Sequence, residues 1–382
     1  MTIELDPAAA SPVQEIWSSP QLAVIVPSYN ERDNIVSLFE LVTAAMGEIP
    51  FEFIVVDDNS PDGTAAVVKN LARRHANVRC IHRIGRRGLS SAVIEGISAS
   101  AAPYFAVIDA DHQHDERILP QMLDKALAGD HVVIGTRYAA GGAVGEGLSK
   151  TREAGSKLAT RLSDMVTGQP ISDPMSGFFL MRREVFDEIA PSLSSEGFKI
   201  LLDIIVSARR ARAGNGEELR VGEVPYTFRP RHAGESKMSS IVVVQFLGLV
   251  LSKMTGGLLP ASFLLFALVG GIGVFVHMGT LFLSAAAGFN FFWSQTIATI
   301  VAMTFNFVLN NELTYANKKL RGRRYFTGLL TFYAVCSIGA IANVSVASWI
   351  YMLDSSFWIA GLAGVVMSVV FNYSVTKVFT WR

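Results

Sequence analysis

The stretch Tyr104-Phe-Ala-Val-Ile-Asp-Ala-Asp-His-Gln113 decides the fold class of the front half of this chain, because an apolar run there ends in two carboxylates. Tyr104–Ile108 has the length and composition of a short buried strand. Asp109, Asp111 and Gln113 therefore emerge together at the carboxyl end of a strand, where open α/β sheets bind their ligands. Their oxygens suit a hard cation such as Mg²⁺ or Mn²⁺, whose coordination shell substrate phosphates complete.

Strands and helices alternate on both sides of this stretch. Apolar runs predict further strands at 22–26, 51–56, 78–82 and 131–134, and helical segments are predicted near 31–46, 62–75, 89–100 and 117–129. This alternation is typical of an α/β domain with a mostly parallel sheet. The second strand ends at Asp57-Asp58, so a second pair of carboxylates is expected at the same edge of the sheet.

The first strand ends in a turn that disfavours the two common nucleotide-binding folds. A dinucleotide-binding dehydrogenase needs G-x-G-x-x-G at this point, and the chain has Pro27-Ser-Tyr-Asn-Glu31, which contains no glycine. The sequence also lacks a G-x-x-x-x-G-K-S/T phosphate loop. A different mode of nucleotide binding is therefore expected.

The composition divides the chain into a charged front part and an apolar rear part. Half of the 382 residues are hydrophobic and the mean hydropathy is +0.35, too high for an ordinary soluble enzyme. Two domains are expected at this length. From Met254 onward seven Lys and Arg stand against two acidic residues, a charge of +5, so residues 1–253 carry −5 within the net charge of +0. Cys80 and Cys336 fall in different parts, so no structural disulfide is expected.

The rear part has the lengths of apolar sequence that membrane spans require. Met254–Asn311 contains no Asp, Glu, Lys or Arg and is long enough for two crossings and a turn, and Tyr325–Leu353 and Ser355–Thr376 are two further uncharged runs. One crossing takes about 20 apolar residues. We therefore expect an all-α membrane domain of four transmembrane helices, near 260–284, 291–314, 326–350 and 356–379.

The basic loop Asn317–Arg324 sets the expected orientation, because cytoplasmic loops carry an excess of Lys and Arg. With four spans, this loop and Arg382 lie on the cytosolic side together with the front domain. The expected protein is thus a multi-pass protein of the cell membrane with a cytoplasmic front domain.

Two segments flank the front domain. Residues 1–20 lack an apolar core, so they are interpreted as a disordered leader and not as a signal peptide. Ser239–Lys253 is interpreted as an interfacial amphipathic helix, and a buried helix of the front domain is an equally good interpretation. The expected organisation is a leader at 1–20, an α/β domain at 21–237, an interfacial region at 238–256 and a membrane domain at 257–382.

The membrane domain contains an internal repeat. Phe305–Tyr315, at the end of the second expected span, matches Phe371–Trp381, at the end of the fourth, which predicts two duplicated helical hairpins. Asn306 and Asn372 in this repeat are interpreted as helix-pairing groups inside the bundle, and lining a path for a lipid phosphate is the alternative. In these two signatures the region resembles the GtrA-like family of four-span domains, which is often proposed to move or hold polyprenyl-linked sugars.

Five motifs in sequence order carry a resemblance for the front domain. They are Val26-Pro27-Ser-Tyr-Asn-Glu31, Val56-Asp-Asp-Asn-Ser-Pro-Asp-Gly-Thr64, Asp109-Ala-Asp-His-Gln113, Gly135-Thr-Arg-Tyr138 and Arg231-His-Ala-Gly-Glu-Ser-Lys237. In order and spacing they resemble the family 2 glycosyltransferases of the GT-A type, and the last motif narrows the resemblance to the dolichyl-phosphate mannose synthase branch. The match covers roughly residues 20–240 and implies a Rossmann-like GT-A catalytic domain.

The resemblance implies a role for each motif. The nucleotide-sugar donor would contact Pro27, Tyr29, Glu31, Val56, Asp58, Asp109, Ala110, Asp111, Gln113, Lys199, Arg231 and Lys237. Mg²⁺ or Mn²⁺ would be bound by Asp109, Asp111 and Gln113. The acceptor phosphate would meet Arg137 and Arg152, and the expected catalytic set is Asp109, Asp111, Gln113 and Arg137. His112 and His114 are not expected as ligands, since a hard cation prefers oxygen; Ser60 and Asp62 are interpreted as turn and capping residues.

The implied reaction transfers a hexose, with mannose from GDP-mannose favoured, to a polyprenyl (dolichyl-type) phosphate at the cytosolic membrane face, with inversion. A phosphate monoester is largely ionised at cytosolic pH, so no general base is required. The alternative enzyme uses a UDP-sugar with the same acceptor, and the non-enzyme alternative is a flippase of polyprenyl-linked sugars with a nucleotide-sensing domain. A processive polysaccharide synthase would need a Q-x-x-R-W signature, which the sequence lacks. No nucleic-acid partner is expected.

Overall fold

The computed structural model describes residues 19–137, 171–193, 200–229, 259–354 and 357–381. The chain divides into two compact units, Met1–Ser236 and Lys237–Arg382, and each is described by itself. Four predicted site residues lie outside the described residues, namely Arg152, Lys199, Arg231 and Lys237. The same holds for residues 1–18 of the predicted leader and for the predicted interfacial region 238–256.

The first unit is built on a sheet of seven strands in the described residues. The strands are β1 (Leu22–Ser28), β2 (Phe51–Asp57), β3 (Val78–His82), β4 (Tyr104–Val107), β5 (Val132–Thr136), β6 (Phe179–Arg182) and β7 (Val221–Pro225), in the spatial order β3-β2-β1-β4-β6-β5-β7. Neighbouring strands are parallel except at β6, which runs antiparallel to β4 and β5. The expected α/β class with a mostly parallel sheet is confirmed.

Helices cover both faces of this sheet. They are α1 (Ile35–Met46), α2 (Thr64–Ala72), α3 (Leu89–Ser98), α4 (Leu119–Leu127), α5 (Arg183–Ile189) and α6 (Ile200–Gly214). Side chains alternate along each strand, so Leu22 and Val24 of β1 pack with α1, α2 and α4, whereas Ala23 and Ile25 pack with α3, α5 and α6. Burial on both faces explains why the central strands are continuous apolar runs.

Four elements of this unit, β6, β7, α5 and α6, are not among the predicted strands and helices. β6 has only four residues, and a run that short cannot be assigned by periodicity. β7 contains Glu223 and ends in Pro225, residue types that are depleted in central strands, and it lies at the edge of the sheet. α1 begins at Ile35, later than predicted, because residues 29–34 form the turn that leaves β1.

The second unit has four long helices in the described residues, α7 (Ala261–Ala286), α8 (Phe291–Leu309), α9 (Arg323–Asp354) and α10 (Phe357–Phe379). Three stretches are long and apolar enough to cross a membrane, namely Ala261–Ala286, Phe291–Thr314 and Arg323–Ile350. In α10 the apolar stretch is the shorter Ala363–Phe379, so the fourth span stays a prediction. Large apolar side chains such as Phe275 (80% exposed) and Met352 (82% exposed) point outward, where lipid would cover them.

The internal repeat has a counterpart in the contacts between paired helices. Gly273 of α7 lies against the side chain of Asn306 on α8, and Gly339 of α9 lies against that of Asn372 on α10. The two glycines are separated along the chain by the same number of positions as the two asparagines. A Cβ atom at either glycine would overlap the asparagine Oδ1 atom. These close approaches are the contacts that a helix-pairing role of Asn306 and Asn372 requires.

Candidate active site

The carboxyl ends of six strands, β1, β2, β3, β4, β5 and β7, meet at one edge of the sheet, because these strands run in the same direction. β1 ends just before Tyr29, β2 before Asp58 and β5 before Arg137, and Asp109 is the second residue after β4. This edge therefore collects the predicted donor, metal and acceptor residues that belong to the described part of the chain.

The turn after β1 is held against the turn after β2 by hydrogen bonds. The backbone N–H groups of Asn30 and Glu31 donate to Ser60 Oγ (2.9 Å) and Thr64 Oγ1 (3.1 Å). Asp62 accepts the N–H of Thr64 at 3.0 Å, so Ser60 and Asp62 take part in the turn, as the sequence indicates. The bonds fix the segment that carries the first predicted donor-binding residues.

Asp58 is buried, and its carboxylate already has two partners. Its Oδ2 atom accepts the N–H of Gly88 at 2.8 Å, and its Oδ1 atom lies 2.9 Å from Nη1 of Arg83, an ion pair without hydrogen-bond alignment. Burial raises the pKa of Asp58, and the Gly88 hydrogen bond and the Arg83 charge oppose that rise. Recognition of a base by Asp58 would have to use the lone pairs that these partners leave available.

The loop after β3 supplies these partners and was not predicted as part of the site. Arg83 is 1% exposed, and the guanidinium of Arg87 stands 4.5 Å from the centre of the Tyr29 ring. The loop has the sequence Arg83-Ile-Gly-Arg-Arg-Gly88. Its basic and glycine-rich composition at a strand end is the signal that identifies it.

Asp109 and Asp111 lie on a tight turn after β4 and differ in exposure. The Asp109 side chain is 41% exposed, whereas Asp111 is 6% exposed and accepts the N–H of Gln113 at 3.1 Å. His112 adopts a left-handed conformation with φ of 61°, and its Nε2 atom lies 2.9 Å from Ser37 Oγ. The turn is thereby anchored to α1, and both carboxylates stay at the strand end.

His114 orients Asp109. Its Nδ1 atom accepts the backbone N–H of Asp109 at 3.2 Å, so the ring proton belongs on Nε2, which lies 3.8 Å from Asp109 Oδ2. The ring stacks on Phe178 with centroids 5.2 Å apart. Burial lowers the pKa of His114 to about 4, a shift that Asp111 opposes and Arg137 reinforces. The imidazole is therefore neutral near pH 7, and it is hydrogen-bonded to the backbone of Asp109.

The ligand atoms of this turn fit a hard divalent cation. Asp109 and Asp111 offer carboxylate oxygens, Gln113 offers an amide oxygen, and Asp109 is exposed enough to share a cation with a substrate phosphate. Within the described ranges, no group of three or more His, Cys, Asp or Glu side chains is placed to hold a metal ion. A cation here would depend on substrate oxygens, as is usual for Mg²⁺ at phosphate-binding sites.

Arg137 is held by a residue that was not predicted from the sequence. Its Nε and Nη2 atoms donate to the two carboxylate oxygens of Asp173 at 2.7 and 3.0 Å, and its guanidinium stands 5.1 Å from the centre of the Phe228 ring. Asp173 is 2% exposed and Arg137 is 23% exposed, so the guanidinium is oriented and still reaches the surface. The turn-forming sequence Asp173-Pro-Met-Ser-Gly177 is the available signal.

The segment after β7 lies against the acidic turn. The N–H of Arg229 donates to the carbonyl oxygen of Gln113 at 3.0 Å, and its guanidinium pairs with Asp115 at 2.7 Å and Glu116 at 2.9 Å. These contacts tie the end of β7 to the end of β4. The predicted basic motif that begins at Arg231 follows two residues later in the sequence.

A small pocket lies beside Asp109. It is lined by Leu89, Val93, Val107, Asp109, Met175, Ser176, Gly177, Ile200 and Leu201. Asp109 is the only ionisable side chain among these described lining residues, and most of the others are apolar. A carboxylate pair, an oriented guanidinium and this small apolar pocket thus share one sheet edge. The carboxylates and the guanidinium suit an anionic ligand that is bound through a cation.

Comparison with known proteins gives matches over both units. The family model described as "Glycosyl transferase family 2" matches residues 23–190, and the one described as "GtrA/DPMS, transmembrane domain" matches residues 265–381. A dolichol-phosphate mannosyltransferase of Pyrococcus furiosus is 33% identical over 369 residues, which are 94% of this chain and 99% of the relative. That of Saccharomyces cerevisiae is 37% identical over 234 residues, 60% of this chain and 85% of the relative. The resemblances stated for both parts of the sequence are confirmed.

Proposed function

The chain belongs to the family 2 glycosyltransferases that carry a GtrA/DPMS transmembrane domain, and we propose that it transfers mannose from GDP-mannose to a polyprenyl phosphate at the cytosolic membrane face. It is a glycosyltransferase, and its relatives are named dolichol-phosphate mannosyltransferases. The observation that carries the proposal is the meeting of the Asp109–Gln113 turn with the Arg137–Asp173 pair at one sheet edge. The turn suits a cation and a donor diphosphate, and the pair suits an acceptor phosphate.

In the proposed reaction, an oxygen of the acceptor phosphate attacks the anomeric carbon of the sugar. The bond from that carbon to the β-phosphate oxygen of the donor breaks, and the nucleoside diphosphate departs with the bonding electrons. A single displacement of this kind inverts the anomeric centre. The acceptor is a phosphate monoester with a second pKa of about 6, so it is already ionised and no side chain has to remove a proton.

The acidic turn would bind the cation, and Arg137 would bind the acceptor. Asp109, Asp111 and Gln113 would hold Mg²⁺ or Mn²⁺, which supplies positive charge for the departing diphosphate. His114 would fix the backbone of Asp109 through its hydrogen bond, and Arg137 would bind the acceptor phosphate. Catalysis would then rest on alignment of the two substrates and on electrostatic stabilisation of the leaving group.

The nucleoside would lie at the ends of β1 and β2, against Tyr29, Glu31 and Asp58. A carboxylate accepts hydrogen bonds from guanine or uracil, so Asp58 is compatible with either base. The names of the relatives support mannose as the transferred sugar, and GDP-mannose is the donor that we propose. Further residues are proposed to contact the donor, namely Pro27, Val56, Ala110, Lys199, Arg231 and Lys237. Arg152 is proposed to contact the acceptor phosphate.

The membrane unit would bring the enzyme to its lipid acceptor. The chain is a membrane protein by its GtrA/DPMS domain and its apolar helices. A polyprenyl tail stays in the bilayer, so an enzyme that is itself anchored there meets the acceptor phosphate at the membrane surface. The basic loop Asn317–Arg324 would face the cytosol and attract anionic headgroups. With four spans, the catalytic domain would lie on the same side of the membrane as this loop.

Purified full-length protein in proteoliposomes tests the proposal. The assay supplies polyprenyl phosphate, Mg²⁺ or Mn²⁺ and a panel of labelled GDP- and UDP-sugars, and the lipid product is extracted. We expect labelled lipid from GDP-mannose, lost on addition of EDTA and regained with excess cation. Labelled lipid from a UDP-sugar alone would refute the donor, transfer that survives complete chelation would refute the metal site, and no lipid product from any donor would refute the transferase proposal.

A further inference from the structure

Tyr226 follows β7 directly and carries a buried hydroxyl that has no hydrogen-bond partner in the part of the chain that the structure describes. The residue is 3% exposed. Buried polar groups nearly always have a partner, and one without a partner destabilises the fold. Phenylalanine would fill the same space without that penalty, so the hydroxyl needs an explanation.

The backbone places Tyr226 beside the proposed acceptor residue. Its N–H donates to the carbonyl oxygen of Thr136 at 3.0 Å, and Arg137 is the residue that follows β5. Two residues after Tyr226, the Phe228 ring lies 6.4 Å from the Tyr226 ring and 5.1 Å from the guanidinium of Arg137. Tyr226 and Arg137 are therefore neighbours that share Phe228 as a packing partner.

The side chain of Tyr226 reaches back toward the acidic turn. Its ring lies 5.9 Å from that of His114, which holds Asp109, and 5.7 Å from that of Phe178. Burial raises the pKa of the Tyr226 hydroxyl, and the nearby charges that act on it are those of Arg137, Asp173, Asp109 and Asp111. The hydroxyl thus keeps its proton, and it lies among the groups that would bind the two substrates.

We propose that the Tyr226 hydroxyl donates a hydrogen bond to the acceptor phosphate that Arg137 binds. This inference rests on the proposed function. β7 lies beyond β4 and next to β5 in the sheet, whereas β1 and β2, where the nucleoside is proposed to bind, lie on the other side of β4. Tyr226 therefore lies on the same side of β4 as Arg137, the residue proposed to bind the acceptor phosphate.

The physical setting favours a neutral donor for this task. The acceptor phosphate would enter a region that already contains the Asp173 carboxylate and the guanidinium of Arg137. A phenol adds a hydrogen bond there without the burial of another charge. Because the hydroxyl is shielded from water in the free protein, the bond to a phosphoryl oxygen would replace no hydrogen bond to solvent, and it would be strong in these low-dielectric surroundings.

The test compares Tyr226→Phe with Tyr104→Phe in the full-length protein. Tyr104 is a matched control because it is the first residue of β4, so it lies at the amino end of this strand and the site lies at the carboxyl end. In Tyr226→Phe we expect kcat/KM for polyprenyl phosphate to fall by about 10–100-fold, the usual effect of a lost hydrogen bond to a charged group. The KM for GDP-mannose should stay within about twofold, and the melting temperature should be unchanged or higher. Binding of polyprenyl phosphate without donor should weaken in parallel.

Each other outcome has a definite meaning. A kcat/KM for polyprenyl phosphate equal to that of the unmodified protein would overturn the inference. The hydroxyl would then bind water or no group at all. A defect confined to the KM for the donor would also overturn it, since the hydroxyl would then serve the donor diphosphate. A clearly lower melting temperature would overturn it as well, because the hydroxyl would then be bonded within the protein. Failure of the unmodified protein to transfer any sugar would count against the proposed function instead.

Discussion

Replacement of Asp173 by Asn removes the charge that orients Arg137 and keeps the size of the side chain. In the native pair, two guanidinium nitrogens donate at 2.7 and 3.0 Å to a carboxylate that is 2% exposed. Asparagine retains one acceptor oxygen and turns an NH₂ group toward the other nitrogen, so one of the two bonds is lost. A hydrogen bond to a charged group contributes about 1.5–3 kcal/mol. Because water reaches part of Arg137, we expect the free energy of unfolding to fall by about 2 kcal/mol.

Two measurements separate stability from positioning in Asp173→Asn. In a unit of this size, 1 kcal/mol corresponds to about 2–4 °C in melting temperature, so a fall of roughly 4–8 °C is expected. Initial rates are then measured well below the transition, where we expect the KM for polyprenyl phosphate to rise by about tenfold and the KM for GDP-mannose to change by less than about twofold. Asp124→Asn makes the same chemical change on the exposed face of α4 and should alter neither quantity.

A folded Asp173→Asn protein with an unchanged KM for the acceptor would refute this reasoning, because the pair would then serve the fold alone. Arg137→Lys keeps the positive charge and loses the planar fork. It should show the same acceptor defect. The double variant should be no worse than either single variant, since both changes remove the same oriented guanidinium; strictly additive defects would contradict a shared role.

Two further predictions concern a buried histidine and the membrane helices. Burial holds the pKa of His114 at about 4, below its ordinary value of 6.5, so the unfolded chain binds a proton that the folded chain does not. The contribution of His114 to the free energy of unfolding is therefore complete above pH 6.5, and it falls by about 1.4 kcal/mol per pH unit toward pH 4. In His114→Gln, the free energy of unfolding should depend on pH less steeply by that amount between pH 4 and 6.5. Equal slopes in the variant and the unmodified protein would contradict the low pKa of His114. Gly273→Ala should destabilise the membrane unit by about 1–3 kcal/mol because its Cβ would overlap Asn306 Oδ1, whereas Gly271→Ala has open space and should not. Equal melting temperatures of these two variants would argue against the helix-pairing role.

The sequence predicts the parts of this molecule whose signals are local. β4 and the acidic turn follow from one apolar run and the carboxylates of Asp109 and Asp111 beside it. The alternation of strands and helices up to β5 is also local, and the strand ends that it predicts do share one sheet edge. The membrane helices follow from uncharged length alone.

The residues that escape prediction act through contacts between distant parts of the chain. Asp173 pairs with Arg137 across 36 positions, and Arg83 pairs with Asp58 between two different loops. Nothing in the neighbouring sequence of either acid reveals its partner. Tyr226 is recognised only when the end of β7 is seen beside the end of β5, and β7 itself is too polar to be identified by its pattern.

The membrane unit combines a feature that the sequence predicts with one that only the packing reveals. The repeat at Phe305–Tyr315 and Phe371–Trp381 predicts duplicated hairpins. The glycines that meet Asn306 and Asn372 are spaced by the same interval as this repeat, yet no motif marks them among the other glycines of α7 and α9. Only the packing of paired helices identifies them, because a glycine matters there through the space that it leaves.

The exposed carboxylate of the acidic turn provides the most direct test of the central claim, that this sheet edge joins a sugar donor to a lipid phosphate through a divalent cation. The measurement is the rate of mannosyl transfer from GDP-mannose to polyprenyl phosphate by Asp109→Asn, with Asp124→Asn as the matched control. We expect a loss of about 100-fold or more for Asp109→Asn, at a native melting temperature, and no loss for the control. Transfer by Asp109→Asn at the rate of the unmodified protein would contradict the account.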